Sequence, residues 1–191
     1  SLSIGSVHNY YKYNKIKSIF KDYLHRDMKN LLKPTVKKRH HFKLLKDIYK
    51  IDIEEDCILP DIEDYLYKFR MVPWGLAQYT HLPLNKHMKY CMDNIEKYPT
   101  KTIDIFCVCH EHEVPLVNHR NHIKSIIRNM KNISVFCEDN VNMFTFHEKL
   151  MLSKIVVAPW GLGKRIASDQ KAILSGCVLI KPDSDDVLTF P

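Results

Sequence analysis

The sequence predicts an α/β protein whose second half forms a parallel β-sheet and whose first half is mainly helical. From about residue 100 onward, short apolar runs alternate with helix-length amphipathic segments, as expected for strands joined by helical crossovers. Those runs lack polar alternation, which is typical of parallel strands covered on both faces. We therefore expect a helical, basic region over residues 1–99, which could form a reduced acceptor site, and a sheet domain over residues 100–191.

The second half predicts a Rossmann-like domain of strands and helices in strict alternation. Strands are predicted at residues 103–108, 133–136, 155–158 and 177–181, and helices at residues 118–130, 143–152 and 165–174. In such a sheet, ligands bind beyond the carboxyl ends of the strands. The segments that follow those ends are residues 109–113, 137–139, 159–164 and 181–183.

The first half shows helical spacing of apolar residues and no repeat. One-sided apolar patterns predict helices, here over residues 10–32, 42–51, 60–70 and 85–98. A basic cluster occupies residues 37–41, and residues 73–75 predict a turn.

The turn after the third predicted strand is the strongest candidate for a phosphate site. Gly161 and Gly163 permit a tight turn and a close approach of the backbone. Lys164 and Arg165 stand where the next helix begins, beside its exposed N–H groups and the positive end of its dipole. Trp160 belongs to the same turn. These features predict that the turn surrounds a phosphate group, and the alternative is a purely structural βαβ unit.

The same segment resembles the donor-binding half of GT-B glycosyltransferases, in particular exostosin-like, viral and bacterial enzymes. Their pattern is of the type Ser-Lys, then Pro-x-Gly-x-Gly, then Arg-Asp-x-Glu-Ala-x-x-x-Gly-Cys. The resemblance covers about residues 101–191, and the composition is similar to that of large-virus enzymes such as chlorovirus rhamnosyltransferase domains. The matching positions in this chain are Ser153, Lys154, Pro159, Gly161, Gly163, Asp169, Ala172, Gly176 and Cys177.

The resemblance implies a nucleoside-diphosphate sugar as donor, with a UDP-sugar favoured, and a glycan hydroxyl as acceptor. It implies no cofactor and no metal, since basic side chains and helix N-termini neutralise the leaving diphosphate in this family. Lys171 stands where the family usually has a ribose-binding Glu and would contact phosphate or uracil oxygen instead. Ser168 replaces a usual Arg, so an inactive glycosyltransferase-like scaffold is an alternative. The donor-binding set expected from the turn and the resemblance is Arg120, Trp160, Gly161, Gly163, Lys164, Arg165, Asp169 and Lys171.

Three residues after the first strand of the second half are candidates for the catalytic base. Inverting transfer needs a base that takes the proton of the acceptor hydroxyl. The carboxyl end of the strand at residues 103–108 is followed by His110, Glu111 and Glu113, which would face the turn at residues 159–165. The cluster Cys107-Val-Cys-His-Glu-His112 also suggests a zinc site. However, Cys107 within a strand is more simply a small buried hydrophobe, and no sufficient second pair of ligands stands nearby in the sequence. If none of the three acts, the next candidates are Asp56, Asp61 and Glu63.

The formal net charge of +7, with 29 Lys and Arg against 22 Asp and Glu, favours an anionic partner. This leaves a nucleic-acid-binding module as an alternative, in which the cluster at residues 37–41 would track a phosphate backbone. Tyr10, Tyr11 and Tyr13 would then stack on bases. The sequence contains no RNA-recognition signature and no zinc-finger spacing.

The six cysteines favour a reducing compartment, because none forms a Cys-x-x-Cys pair and several lie in strand-like apolar runs. Neither a run of 18 apolar residues nor a signal peptide occurs. We expect a cytoplasmic protein, in the host cytoplasm if it is viral, with further domains in a longer polypeptide.

Overall fold

The computed structural model describes residues 12–21, 23–25, 29, 40–55, 63–71, 89, 92–93, 99–110, 116–161, 167–183 and 187–189. Two compact units divide the chain: Tyr79–Asp183, and Ser1–Gln78 together with Ser184–Pro191. The predicted turn at residues 73–75 and most of the predicted helix at residues 85–98 lie outside the described residues.

The elements follow one another in this order: β1 (Ile19–Lys21), β2 (Tyr23–His25), α1 (His40–Tyr49), a 3₁₀ helix (Glu63–Lys68), β3 (Phe69–Met71), β4 (Ile103–Val108), α2 (Leu116–Arg128), β5 (Val135–Glu138), α3 (Met143–Met151), β6 (Ser153–Val157), α4 (Ala167–Leu174), β7 (Val178–Ile180) and β8 (Val187–Thr189). The predicted alternation of strands and helices after residue 100 is confirmed, with bounds that differ by about two residues.

The unit Tyr79–Asp183 contains a four-stranded sheet that is parallel throughout, as predicted. Its strand order is β5-β4-β6-β7. The strand that follows β4 in sequence, β5, lies on one side of β4, whereas the later strands β6 and β7 lie on its other side. The direction of strand addition therefore reverses between β4 and β6, and ligands of open α/β sheets bind at such a point.

Helices cover both faces of this sheet. On one face, Ile127 of α2 packs against a cluster that includes Cys107 and Cys137. On the other face, Leu150 of α3 and Ala172 of α4 pack against Phe106 and Val156. This arrangement agrees with the rule that crossovers in opposite directions place their helices on opposite faces. The central strands are buried on both sides, which explains their continuous apolar sequence.

Local signals fix the ends of the helices in this unit. The side chain of Asn142 accepts a hydrogen bond from the N–H of Thr145 at 2.8 Å and caps the start of α3. Gly176 follows α4 with φ of 65°, a left-handed conformation that glycine adopts without cost. These two signals define where α3 begins and where α4 ends, and so where the neighbouring strands can start.

The other unit contains two strands, β1 and β2, inside a segment where the sequence predicts a helix. The predicted helix at residues 10–32 is wrong at residues 19–21 and 23–25, because β1 pairs in parallel with β3 and β2 pairs antiparallel with β8. The predicted helix at residues 60–70 is a 3₁₀ helix that ends in strand β3. Pairing with distant segments outweighs the local helical spacing here. The predicted helix at residues 42–51 is confirmed as α1.

No helix within the described ranges has the length and apolar composition needed to cross a bilayer.

Candidate functional site

The candidate site lies at the carboxyl ends of β4 and β6, where the strand order reverses. The segment after β4 begins with Cys109 and His110, and the segment after β6 runs through Ala158 and Trp160 to Gly161. All but His110 are buried. In open α/β sheets the ligand crevice lies outside the carboxyl ends of the strands at the point where the strand order reverses, so these two segments would border such a crevice.

Arg120 of α2 ties these two segments together. Its side chain is 6% exposed. The Nε atom donates a hydrogen bond to the carbonyl oxygen of Trp160 at 3.2 Å, and Nη1 donates to the carbonyl oxygen of His110. Burial lowers the pKa of Arg120, but a guanidinium remains charged at any pH at which the protein folds. The predicted donor-binding arginine is thus placed at the reversal point, with two of its donors engaged by backbone.

His119, the neighbour of Arg120, holds the other backbone group of the same tryptophan. The N–H of Trp160 donates a hydrogen bond to Nε2 of His119 at 3.3 Å, and the two rings lie 5.5 Å apart. An Nε2 that accepts a hydrogen bond belongs to a neutral imidazole. Burial accordingly lowers the pKa of His119 to about 4. Consecutive side chains of one helix therefore hold both backbone polar groups of Trp160.

Asp169 stands in the first turn of α4 and forms an ion pair. Its Oδ2 atom accepts a hydrogen bond from Nζ of Lys181 at 2.6 Å, and both side chains are largely buried. Lys181 follows directly after β7, so the pair joins the start of α4 to the carboxyl end of the neighbouring strand. The sequence singled out Asp169 as a donor-binding residue but did not reveal this partner.

Lys171, the residue that replaces the family's usual Glu, is 8% exposed. Its Nζ atom lies over the ring of Phe146 at 4.8 Å from the centroid, which is a cation–π contact. Burial lowers the pKa of Lys171. The nearby His147 is also buried, and its pKa falls to about 4 because of desolvation and the positive charge of Lys171. A cation therefore stands inside the protein between α3 and α4.

Three thiols line the face of the sheet that α2 covers. Cys107 and Cys137 lie side by side in register on β4 and β5, and Cys109 follows two residues after Cys107. All three are free and buried. The pKa of Cys109 falls to about 7 because the Cys107 thiol hydrogen-bonds to it and because Arg120 and Lys124 are positively charged.

Lys124 and Arg128 continue the cationic row that Arg120 begins. The three residues are four apart on α2 and so share one face of the helix. The ammonium of Lys124, which is buried, pairs with Oδ1 of Asp139, and Arg128 donates to the carbonyl oxygen of Cys137 at 3.1 Å. Sequence reasoning missed this row and His119, although the four-residue spacing on a predicted helix was a readable signal for the row.

The structure brings together only part of the predicted site. Arg120 contacts Trp160, which Gly161 follows, and it donates to the carbonyl oxygen of the exposed His110. Asp169 pairs instead with Lys181, and Lys171 lies over the ring of Phe146. The other residues predicted for catalysis or phosphate binding lie outside the described residues and stay predictions: Glu111, Glu113, Gly163, Lys164 and Arg165. Within the ranges that the structure describes, His, Cys, Asp and Glu side chains form no group placed to hold a metal ion.

Comparison with known proteins adds no relative: no family model, curated protein or solved structure matches the chain.

Proposed function

We propose that the chain binds a nucleoside-diphosphate sugar in the crevice between β4 and β6 and transfers the sugar to a glycan hydroxyl without a metal ion. The observation that carries the proposal is the reversal of strand order between β4 and β6, with Arg120 bridging the segments after both strands. Open α/β sheets bind their ligands at such a point. The resemblance to GT-B donor domains supplies the reaction.

The crevice is suited to an anionic ligand. Arg120 contributes a buried positive charge at this edge of the sheet, and Trp160 is held through both its carbonyl oxygen and its N–H. A charge in a desolvated site attracts a phosphate more strongly than one in water. Lys164 and Arg165, which precede α4 in the sequence, would add positive charge, and the start of the helix predicted over residues 165–174 would add free N–H groups.

These groups would act on the leaving group of the reaction. Cleavage of the bond between the anomeric carbon and the phosphate oxygen leaves a diphosphate with one more negative charge. Fixed positive charges and N–H donors stabilise that charge as it develops, which lowers the barrier. One of the three residues after β4, His110, Glu111 or Glu113, would act as the base that removes the proton of the acceptor hydroxyl. We place the reaction in the cytoplasm, with rhamnose as one candidate sugar and further domains completing the acceptor site.

Titration calorimetry with a panel of nucleoside diphosphates tests the proposal. One of UDP, dTDP, GDP, ADP and CDP should bind at micromolar to sub-millimolar concentration, while a single-stranded oligonucleotide should not. The double variant Lys164→Ala/Arg165→Ala should weaken that binding at least tenfold, which corresponds to about 1.4 kcal/mol. The matched control is Lys154→Ala, because this exposed lysine lies near the amino end of β6 and pairs with Asp104.

The outcomes separate the alternatives. Binding of the oligonucleotide with a steep salt dependence, and of no nucleotide, would replace the proposal with a nucleic-acid-binding function. Nucleotide binding without any turnover of the sugar donor would favour the inactive scaffold. Turnover that excess EDTA abolishes and Mn²⁺ restores would show a metal-dependent mechanism instead.

A further inference from the structure

The outward side of α1 carries two large aliphatic side chains. Leu44 and Ile48 are 47% and 56% exposed. They are four residues apart, so they are neighbours on one side of the helix. Phe42 and Leu45 of the same helix are fully buried and supply its contacts with the core of the unit. Leu44 and Ile48 therefore form a separate apolar strip that faces solvent.

The segment that leads into α1 and includes its first two turns is the most cationic part of the chain. Residues 28–46 contain seven Lys and Arg side chains and no Asp or Glu, an excess equal to the formal net charge of the whole chain, +7. This segment includes the basic cluster at residues 37–41, for which the proposed function has no role.

The described part of α1 keeps some of this positive charge. Lys43 and Lys46 share the carboxylate of Glu55, with Nζ–Oε1 distances of 2.8 and 3.1 Å. One carboxylate thus balances only one of the two ammonium groups. Asp47 is exposed on α1 and is the acidic residue of this helix. The apolar strip therefore belongs to a helix whose approach segment is strongly basic.

The aliphatic strip distinguishes between the two kinds of polyanion that a basic cluster attracts. A nucleic acid is bound by hydrogen bonds and by stacking on aromatic rings, and Leu44 and Ile48 can supply neither. A bilayer offers hydrocarbon, into which aliphatic side chains transfer favourably from water. Lysine side chains suit the same surface, because their long stems let the ammonium reach anionic headgroups while apolar neighbours enter the bilayer.

We propose that α1 attaches the protein to the surface of an anionic lipid bilayer, with Leu44 and Ile48 in the boundary between headgroups and hydrocarbon and the basic residues of 29–46 against the headgroups. Two weak signals of this kind combine into stable attachment where one alone gives marginal binding. The attachment is peripheral, because the ten residues of α1 are about half of what a membrane span needs. It goes beyond the proposed sugar transfer and does not depend on it.

Sedimentation of the whole chain with lipid vesicles tests the attachment. The chain should sediment with vesicles of phosphatidylserine and phosphatidylcholine in equal parts and should stay in the supernatant with phosphatidylcholine alone. Added NaCl should release the bound protein, because salt screens the attraction between the cluster and the headgroups. Equal binding to both kinds of vesicle, or binding to neither, overturns the proposal.

A double variant tests the apolar strip. Leu44→Gln/Ile48→Gln should weaken the partition onto the anionic vesicles at least tenfold. The matched control is Ile126→Gln/Ile173→Gln, which removes two isoleucines that are 50% and 65% exposed in the other unit and should leave the partition unchanged. Urea unfolding followed by circular dichroism verifies that both variants fold. Equal partition of the two double variants would refute the role of the strip.

A triple variant tests the basic cluster. Lys37→Gln/Lys38→Gln/Arg39→Gln should also weaken the partition at least tenfold. The control Lys15→Gln/Lys17→Gln/Lys131→Gln removes the same charge from exposed lysines elsewhere and should have a much smaller effect. Equal losses in the two variants would show that net charge alone attracts the vesicles, which contradicts a specific surface.

Two further results keep this proposal separate from the proposed function. A wild-type chain that binds a single-stranded oligonucleotide but no vesicle would assign the cluster to nucleic acid and overturn the membrane attachment. Nucleoside-diphosphate titrations without vesicles should give the same affinity for wild type and for Leu44→Gln/Ile48→Gln. If no nucleotide binds at all, the proposed function fails, while the vesicle measurements still decide the attachment.

Discussion

The guanidinium of Arg120 donates from Nε to the carbonyl oxygen of Trp160 at 3.2 Å, across 40 positions of sequence. Through Nη1 it also reaches the carbonyl oxygen of His110, so one buried side chain joins the segments that leave β4 and β6. A backbone carbonyl oxygen needs a hydrogen-bond donor, and Arg120 supplies one to each of the two segments. Together with His119, which accepts a hydrogen bond from the Trp160 N–H, Arg120 therefore holds the candidate site in place.

Replacing Arg120 by Met should destabilise the protein and loosen the crevice. The carbonyl oxygens of Trp160 and His110 would lose this donor, and for a buried group such as that of Trp160 the loss costs about 1–3 kcal/mol. Urea unfolding followed by circular dichroism measures the loss. Lys149→Met is the control, because Lys149 is half-buried and pairs with Glu148 at 3.5 Å, a contact worth about 0–1 kcal/mol. Equal unfolding midpoints for the two variants would contradict the structural role of Arg120.

The stability of the protein should fall as the pH falls from about 6.5 to about 4. Burial lowers the pKa of His119 and of His147 from 6.5 to about 4. Between these values the unfolded chain binds protons that the folded protein excludes, so acid favours unfolding. Each histidine contributes at most about 3 kcal/mol to this loss.

A variant of His119 isolates its share of the pH dependence. His119→Gln retains a hydrogen-bond acceptor for the Trp160 N–H and does not titrate, so its stability should fall less steeply across the same pH range. The control is Asn121→Gln, which changes an exposed residue of the same helix that does not titrate. Urea unfolding at half-unit pH intervals gives both slopes, and identical slopes for His119→Gln and the parent protein would show that His119 is not the group responsible.

Lys101 should be a principal stabilising residue at the amino edge of the parallel sheet. Its Nζ atom donates to the carbonyl oxygens of Ser153 and Ser175 at 2.7 and 2.9 Å. Ser153 begins β6 just after α3, and Ser175 lies between α4 and β7. The ammonium therefore joins the segment before β4 to the segments that lead into β6 and β7. Lys101→Met should cost about 1–3 kcal/mol, because hydrogen bonds to a charged donor are lost. Lys154→Met, which removes an exposed lysine, should cost less than about 1 kcal/mol by thermal unfolding.

One of three residues after β4 should behave as the catalytic base. We expect His110→Ala, Glu111→Gln or Glu113→Gln to lower turnover by about 10²–10⁴, the usual contribution of a positioned base. Donor affinity should stay nearly unchanged, since the base contacts the acceptor. Steady-state kinetics with separate nucleotide titrations makes the distinction. If all three variants retain normal turnover, the base lies elsewhere, and Asp56, Asp61 and Glu63 are tested next.

The sheet of the second unit was predictable because its signals are local. A run such as Ile155-Val156-Val157 has no polar alternation, and the intervening segments have helical length, so strand type and crossover follow from neighbouring residues alone. The three-residue strands of the other unit carry no such signal. Residues 19–21 have helix-compatible spacing and become a strand because they pair with residues 69–71, some 50 positions away.

Local signals predict the elements of the parallel sheet, their order along the chain and the positions of Arg120, Trp160 and Gly161 after strands. Which strands become neighbours, and which side chains therefore meet, depends on the packing of the whole unit. His119, Arg120 and Trp160 come together because the chain returns across β4 after β5, which places β6 beside β4. The spacing of apolar residues within a segment indicates which face of that helix or strand is buried. Contacts between segments depend instead on how all of the segments pack together.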